Sequence, residues 1–257
     1  MTQEKKSLEQ QAHDLLAEGQ YQPAAELYWQ AAKGFQRLDK HDRAAICLAA
    51  SASSRGLILG EKTFHRVATL YEEAAKEAEA ALDLEYASML YKYAAVAYER
   101  DNDNNDFSDC FFKSKETYRK FLLYDLFQVS KPKDKSSRRT LAFRFKLQQL
   151  FPFITVTIAS MVWGHGERPH RTVYFGFGLI LFFAMIYGFG HFSGDNGLVH
   201  PGFLQLVYFS FTTYTKVGPE KLSPVGFNQV VAVIEAFVGI FTIPLYLTGL
   251  CRKYLRY

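Results

Sequence analysis

From Leu8 to about Phe127, apolar positions recur at the spacing of an amphipathic helix, with no run of strand-like alternation. Breaks fall near Gly19–Gln20, Leu38–Lys40, Gly56–Gly60 and Arg100–Asn105, and the stretch as a whole is read as about six helices of typical length joined by short turns, hence about three helical hairpins. The pattern then changes. Residues 172–192 form an apolar run of about 21 residues without formal charge, long enough to cross a hydrocarbon layer of about 30 Å. Residues 227–250 form a second such run, in which Glu235 is the single acidic or basic group. Between them lie a short amphiphilic segment ending in hydroxyls, up to Thr215, and a loop of glycine, proline and charge from Lys216 to Pro224.

In the first half a motif recurs: Leu27-Tyr28-x-x-Ala31-Ala32, Leu70-Tyr71-x-x-Ala74-Ala75 and Leu90-Tyr91-x-x-Ala94-Ala95. Small alanines on one face let helices approach, while Leu and Tyr fill the groove beside them. Units of this size cannot bury their faces alone and must stack on neighbours. The pattern resembles tetratricopeptide repeats, particularly the longer-helix kind of SNAP-type adaptors, over residues 7–127. That resemblance implies a concave face open to a protein or peptide partner. The acidic run Asp101–Asp106 has the flavour of a calcium loop, but Asp106 stands where glycine is needed and Phe112 where a bidentate glutamate is needed. A solvated loop supplying a helix cap is the expectation, and no metal or cofactor is expected beyond a permeant monovalent ion.

Composition divides the chain in the same place. Residues 1–150 are rich in Ala, Glu, Lys, Arg and Tyr, whereas 172–250 are dominated by Phe, Val, Ile, Leu and Gly. A formal charge of +4 is too small to point to nucleic acid. Cys47, Cys110 and Cys251 lack paired or metal-ligand spacing and are read as reduced thiols. The first ten residues have no apolar core, so no cleaved signal peptide is expected. Nucleophile-elbow, phosphate-loop and dinucleotide spacings are missing, and His13, His41, His65, His165, His170, His191 and His200 are scattered, so an enzyme is not expected.

Three segments follow from this: 1–128 as a helical-repeat domain, 129–170 as a basic linker with an interfacial helix, and 171–257 as a membrane domain. Lys131, Lys133, Lys135, Arg138 and Arg139, extended by Arg144 and Lys146, would be drawn to anionic headgroups by about 1 kcal/mol each. The apolar part of 147–163, interrupted by Pro152, is short for a span and is read as interfacial, a third span being the alternative. Trp163 and Tyr174 suit the headgroup boundary. Arg168 and Arg171 precede the first run, and Arg252, Lys253 and Arg256 follow the second. The positive-inside rule then predicts an inner-membrane, multi-pass protein with both termini cytoplasmic.

The segment 203–224 is apolar enough at Leu204–Phe211 to dip into the bilayer. Irregular backbone at that depth survives only where protein or water shields it, so several chains would surround a common axis. At these residues the chain resembles the two-helix pore domain of potassium channels, especially bacterial ones with appended cytosolic repeats. Gly164-His-Gly-Glu-Arg-Pro169 resembles the lead-in to the first helix, Tyr208–Thr213 the end of the pore helix, and Leu222-Ser-Pro224 the segment after the filter. Ile234–Gly239 resembles the start of the inner helix. The resemblance covers 164–257 and implies an all-α, homotetrameric, cation-conducting channel regulated by its cytosolic domain. It places the pore and filter at Thr212, Thr213, Thr215, Lys216, Val217, Gly218, Pro219 and Glu220. Glu235 supports the filter, and Gly239 and Pro244 are the gating hinge or, equally, a close-packing glycine and a tolerated kink. Phe241, Leu245 and Thr248 would face a lower cavity.

The filter string departs from the family. Thr215-Lys216-Val217-Gly218-Pro219-Glu220 puts Lys at the filter threonine, Pro at the tyrosine and Glu at the second glycine. Glycine permits positive φ there, Glu pays a steric penalty for it, and Pro cannot adopt it. Four ammonium groups about 8 Å apart, at an effective dielectric near 20, repel by about 2 kcal/mol per neighbouring pair. Either Lys216 turns behind the loop toward Glu235, leaving Glu220 as an acidic outer ring, or it lines the path and favours anions or blocks cations. The alternatives to a cation channel are therefore an anion-conducting or non-selective pore and a non-conducting, membrane-anchored scaffold.

Overall fold

The computed structural model describes residues 7–58, 64–128, 139–194, 197–218 and 222–254, with backbone alone at 128, 139–149 and 254. Two compact units emerge, 1–158 and 159–257, with the division falling inside one helix. The basic stretch 129–138 and the filter positions Pro219 and Glu220 lie outside the described residues.

The first unit is built from six sequential helices, α1 (Leu8–Ala17), α2 (Tyr21–Gln36), α3 (His41–Gly56), α4 (Phe64–Ala80), α5 (Leu84–Arg100) and α6 (Asn104–Gln128). Each packs on its neighbour, as the helical periodicity requires. One boundary, at residues 81–83, falls where the sequence carries no glycine: Leu82 takes φ 62° there, and Asp83 caps α5 by accepting from the Tyr86 amide at 3.1 Å. The expected cap in the acidic loop is present, since Asp103 accepts from the Asp106 amide at 3.1 Å.

Alternate helices form two rows. α4 reaches back to α2 through Gln36 to Glu77 at 2.8 Å, and forward to α6 through Lys113 to Glu72 at 2.8 Å and Lys120 to Glu79 at 3.2 Å. In the other row Arg43 of α3 holds Glu9 of α1 at 2.6 Å. Burial works to raise the Glu72 carboxyl, yet Lys113 and Lys76 together hold it below its usual range. The three Leu-Tyr-x-x-Ala-Ala motifs fall on α2, α4 and α5. Two therefore occupy equivalent helices and the third the opposite row. All six alanines are buried, and Ser88 of α5 and Ser114 of α6 exchange hydroxyl-to-carbonyl bonds at 3.0 and 2.8 Å.

A long helix, α7 (Arg139–Trp163), runs through Pro152 without ending and is followed by a single 3₁₀ turn, Gly164–Gly166. In the second unit come α8 (His170–Tyr187), β1 (His191–Gly194), β2 (Gly197–Val199), α9 (Phe203–Tyr214), β3 (Ser223–Val225) and α10 (Phe227–Tyr254). The expected first span shortens accordingly. Its last residues, 191 and 192, belong to a strand, because Gly188 and Gly190 close the helix and Phe192 is needed in the core. The small antiparallel sheet, ordered β2-β1-β3, is an addition to the expected all-helical architecture. Its anchor is Phe192, fully buried with its ring edge-to-face against Tyr187 at 5.8 Å and Phe209 at 4.9 Å. Tyr187 and Phe209 meet at 5.0 Å, so three rings lock α8, β1 and α9 together.

Among the described residues two helices, His170–Tyr187 and Phe227–Lys253, are long and apolar enough to cross a membrane, and Leu150–Gly166 is a shorter apolar helix. Only 33% and 22% of the two long segments are buried. The core helix of a water-soluble protein would be mostly buried. Here Phe177, Leu181, Met185, Val230, Val233, Phe237 and Ile240 stand exposed, an apolar surface of the kind that marks contact with a membrane or with another protein surface.

Candidate functional site: a short helix held between two long ones

The centre of the second unit is Glu235. It is fully buried in α10 and faces α8 and α9. Tyr187, at the end of α8, donates its hydroxyl to Oε2 at 2.6 Å. Ser210, in the middle of α9, bonds Oε1, and its hydroxyl also lies 2.8 Å from the Ile180 carbonyl of α8. One carboxyl group thus ties three helices at a single point. An ionisable group in an apolar helix is costly unless its polar atoms are satisfied, and both oxygens here are.

Asn228, the second residue of α10 and also fully buried, makes a second tie. Its Nδ2 donates to the Tyr187 carbonyl at 3.2 Å and to the His191 carbonyl at 3.3 Å. A Cβ at position 190 would collide with the Asn228 amide, so Gly190 is required by this approach. Gly239 plays the matching part at the other end of α9: a Cβ there would strike the Tyr214 carbonyl. The glycine thus packs against the end of the short helix. α10 runs unbroken through both Gly239 and Pro244.

The hydroxyl-rich end of α9 is spoken for locally. Thr212 Oγ1 donates to the Phe209 carbonyl at 2.9 Å and Thr215 Oγ1 to the Phe211 carbonyl at 2.8 Å. Thr213 Oγ1 is buried with no hydrogen-bond partner among the described residues. The chain then leaves the helix through Lys216 at φ 65° and Gly218 at φ 84°, the Gly218 amide donating back to the Thr212 carbonyl at 3.2 Å. Lys216 and Val217 are exposed. Of the two orientations weighed for Lys216, the turn toward Glu235 is not what the structure shows. Glu235 is enclosed by Tyr187 and Ser210, whereas the left-handed turn after α9 carries Lys216 outward. A recess of about 430 Å³ opens beside it, with Thr213, Lys216 and Gln229 set among Phe209, Ala232 and Val233. Phe241 and Thr248 are exposed and Leu245 half-buried.

Residues that the sequence did not single out complete the arrangement. Tyr187 and Ser210 could have been sought from the fact that Glu235, alone in its apolar run, demands polar partners. At the other end of α10, Arg252 Nε lies 3.2 Å from Oε1 of Glu167, whose side chain is almost wholly buried. The backbone that delivers Glu167 turns through positive φ at Gly164, His165 and Gly166 in succession.

In the first unit, a groove of about 530 Å³ between α5 and α6 is lined by Tyr86, Met89, Lys92, Lys115 and Tyr118. Among the described residues no group of three or more His, Cys, Asp or Glu side chains is placed to hold a metal ion. No known protein family, curated protein or solved structure matches the chain.

Proposed function

We propose that the chain is a pore-loop ion channel of potassium-channel-like architecture, assembled from four copies in the inner membrane and regulated by a cytoplasmic repeat domain of tetratricopeptide type. The observation that carries this reading is α9. Its 12 residues extend about 18 Å, well short of the about 30 Å of a hydrocarbon core. Yet it is apolar, leaves Phe203, Leu204, Tyr208 and Phe211 exposed, and is fastened to both membrane-length helices through Ser210 and Glu235. A half-length apolar helix followed by irregular backbone is the form of a re-entrant pore segment. Such backbone needs shielding from lipid, and the exposed apolar faces of α9 and α10 offer a surface for further copies. Thr212, Thr213, Thr215, Lys216, Val217 and Gly218 would line or support the path, with Pro219 and Glu220 following. Gly239 and Pro244 would let α10 bend on opening.

Lys216 favours a second reading. Exposed at the filter-threonine position, it would place four positive charges near the axis, which suits an anion path or a closed, non-conducting scaffold. Recording from purified protein in planar bilayers separates these. Current reversing at the potential of a monovalent cation, together with a changed conductance in Lys216→Thr, supports the cation channel. Reversal at the anion potential supports the anion path, and no current under any ion or voltage supports the scaffold.

A further inference from the structure

We propose that His191 and His200 form a bidentate site for a zinc-type transition-metal cation on the β1–β2 hairpin. The two strands pair antiparallel with Phe192 opposite Val199 and Ser193 opposite Leu198. Carrying that register one step outward sets His191 opposite His200. Their rings are exposed, with centroids 5.0 Å apart and planes inclined at 71°. Two imidazoles sharing one tetrahedral zinc through bonds of about 2.1 Å have centroids about 5 Å apart. The rings therefore already stand at a chelating separation.

The backbone beneath them is fixed. Successive strand residues face opposite ways, so the full burial of Phe192 between Tyr187 and Phe209 forces His191 onto the outer face. The His191 carbonyl is held by Asn228 at 3.3 Å, and β1 is the central strand of the sheet, paired with β3 on its other edge. Directly opposed residues of an antiparallel pair are close enough to act together, and the strand backbone needs no rearrangement to bring the two rings to one ion. Imidazole suits zinc, copper and nickel, whereas magnesium and calcium prefer oxygen ligands. Solvent fills the remaining coordination positions. A bound cation would staple β2 to β1 and so stiffen the connection between α8 and α9. The inference stands on the hairpin alone and holds whether or not the protein conducts.

Zinc titrated by calorimetry into the full chain in detergent, with any affinity tag removed, tests the site. The wild type should bind a saturating equivalent that is weakened at least about tenfold in His191→Ala and in His200→Ala, the loss that even outer partners of metal ligands can cause. The double variant should be at least as weak as either single one, and millimolar magnesium should not compete. The thermal midpoint should rise with zinc in the wild type alone. His191→Asn and His200→Asn, polar and non-chelating as a pair, repeat the measurement should the alanine variants lose their fold. Equal zinc affinity in wild type and double variant, or no saturable binding by the wild type, overturns the proposal.

Discussion

Arg252 Nε sits 3.2 Å from Oε1 of Glu167, and the two side chains differ sharply in exposure: 42% for the arginine, 1% for the glutamate. The asymmetry decides what each truncation does. Arg252→Ala withdraws a charge partner from a carboxylate out of water, whereas Glu167→Ala leaves an arginine that solvent can still reach. Breaking a buried pair from the exposed side is therefore the worse change. Arg252→Ala should lower the stability of the detergent-solubilised chain by about 2 to 3 kcal/mol and Glu167→Ala by about half as much. Thermal midpoints of the two single variants and the double one check this. Equal losses from both singles would show that burial of Glu167 does not set the cost.

The tie at Glu235 makes a different demand, because its partners are hydroxyls. A glutamine there can accept from Tyr187 through its carbonyl and donate its amide to the Ser210 oxygen. Ser210 then gives its single proton to the Ile180 carbonyl, so each of the three existing contacts keeps one donor and one acceptor. Glu235→Gln should change stability by less than about 1 kcal/mol. Glu235→Ala leaves a cavity and an orphaned Tyr187 hydroxyl, and should cost about 3 kcal/mol or more. Melting of the solubilised protein distinguishes them. Comparable destabilisation by both would mean that a formal charge, and not the acceptor geometry, is what α8 and α9 require.

What could be read from the chain beforehand tracks how far each feature depends on local pattern. The helices of the first unit and the two long apolar helices follow from periodicity and length, which are local. Glu235 also stood out, since a lone acid in an apolar run is conspicuous. Its partners did not, because Tyr187 and Ser210 are common in such runs and only packing brings them to one point. The orientation of Lys216 toward Glu235, one of the two weighed, rested on charge alone and left out the left-handed turn that carries Lys216 away. The strands at residues 191–194 and 197–199 are too short for alternation to declare itself, and the first continues an apolar run that reads as helix. The boundary at Leu82 escaped for a related reason: a leucine at positive φ carries no turn signal.

Lys216 occupies the position just past the end of α9 where a left-handed conformation is usually filled by glycine. Its φ of 65° costs a side chain that glycine would not charge. Lys216→Gly should therefore raise the thermal midpoint by the equivalent of about 1 kcal/mol, and Lys216→Val should lower it, since β-branched residues tolerate this region least. A midpoint that rises with valine as much as with glycine would mean that relief of charge, and not of backbone geometry, governs the turn.

The three cysteines offer a direct measure of topology. Burial pushes the Cys47 thiol up to about 11 and the Cys110 thiol up to about 12, so neither presents reactive thiolate at neutral pH. Cys251, near the end of α10, is exposed. A membrane-impermeant maleimide should thus modify one site per folded chain, and that site should vanish in Cys251→Ser while denaturant exposes the other two. If both termini face the cytoplasm, Cys251 should react in inverted membrane vesicles and stay protected in intact spheroplasts. Labelling from the outside of spheroplasts would instead place the end of α10 on the far face and overturn the cytoplasmic placement of the C-terminus.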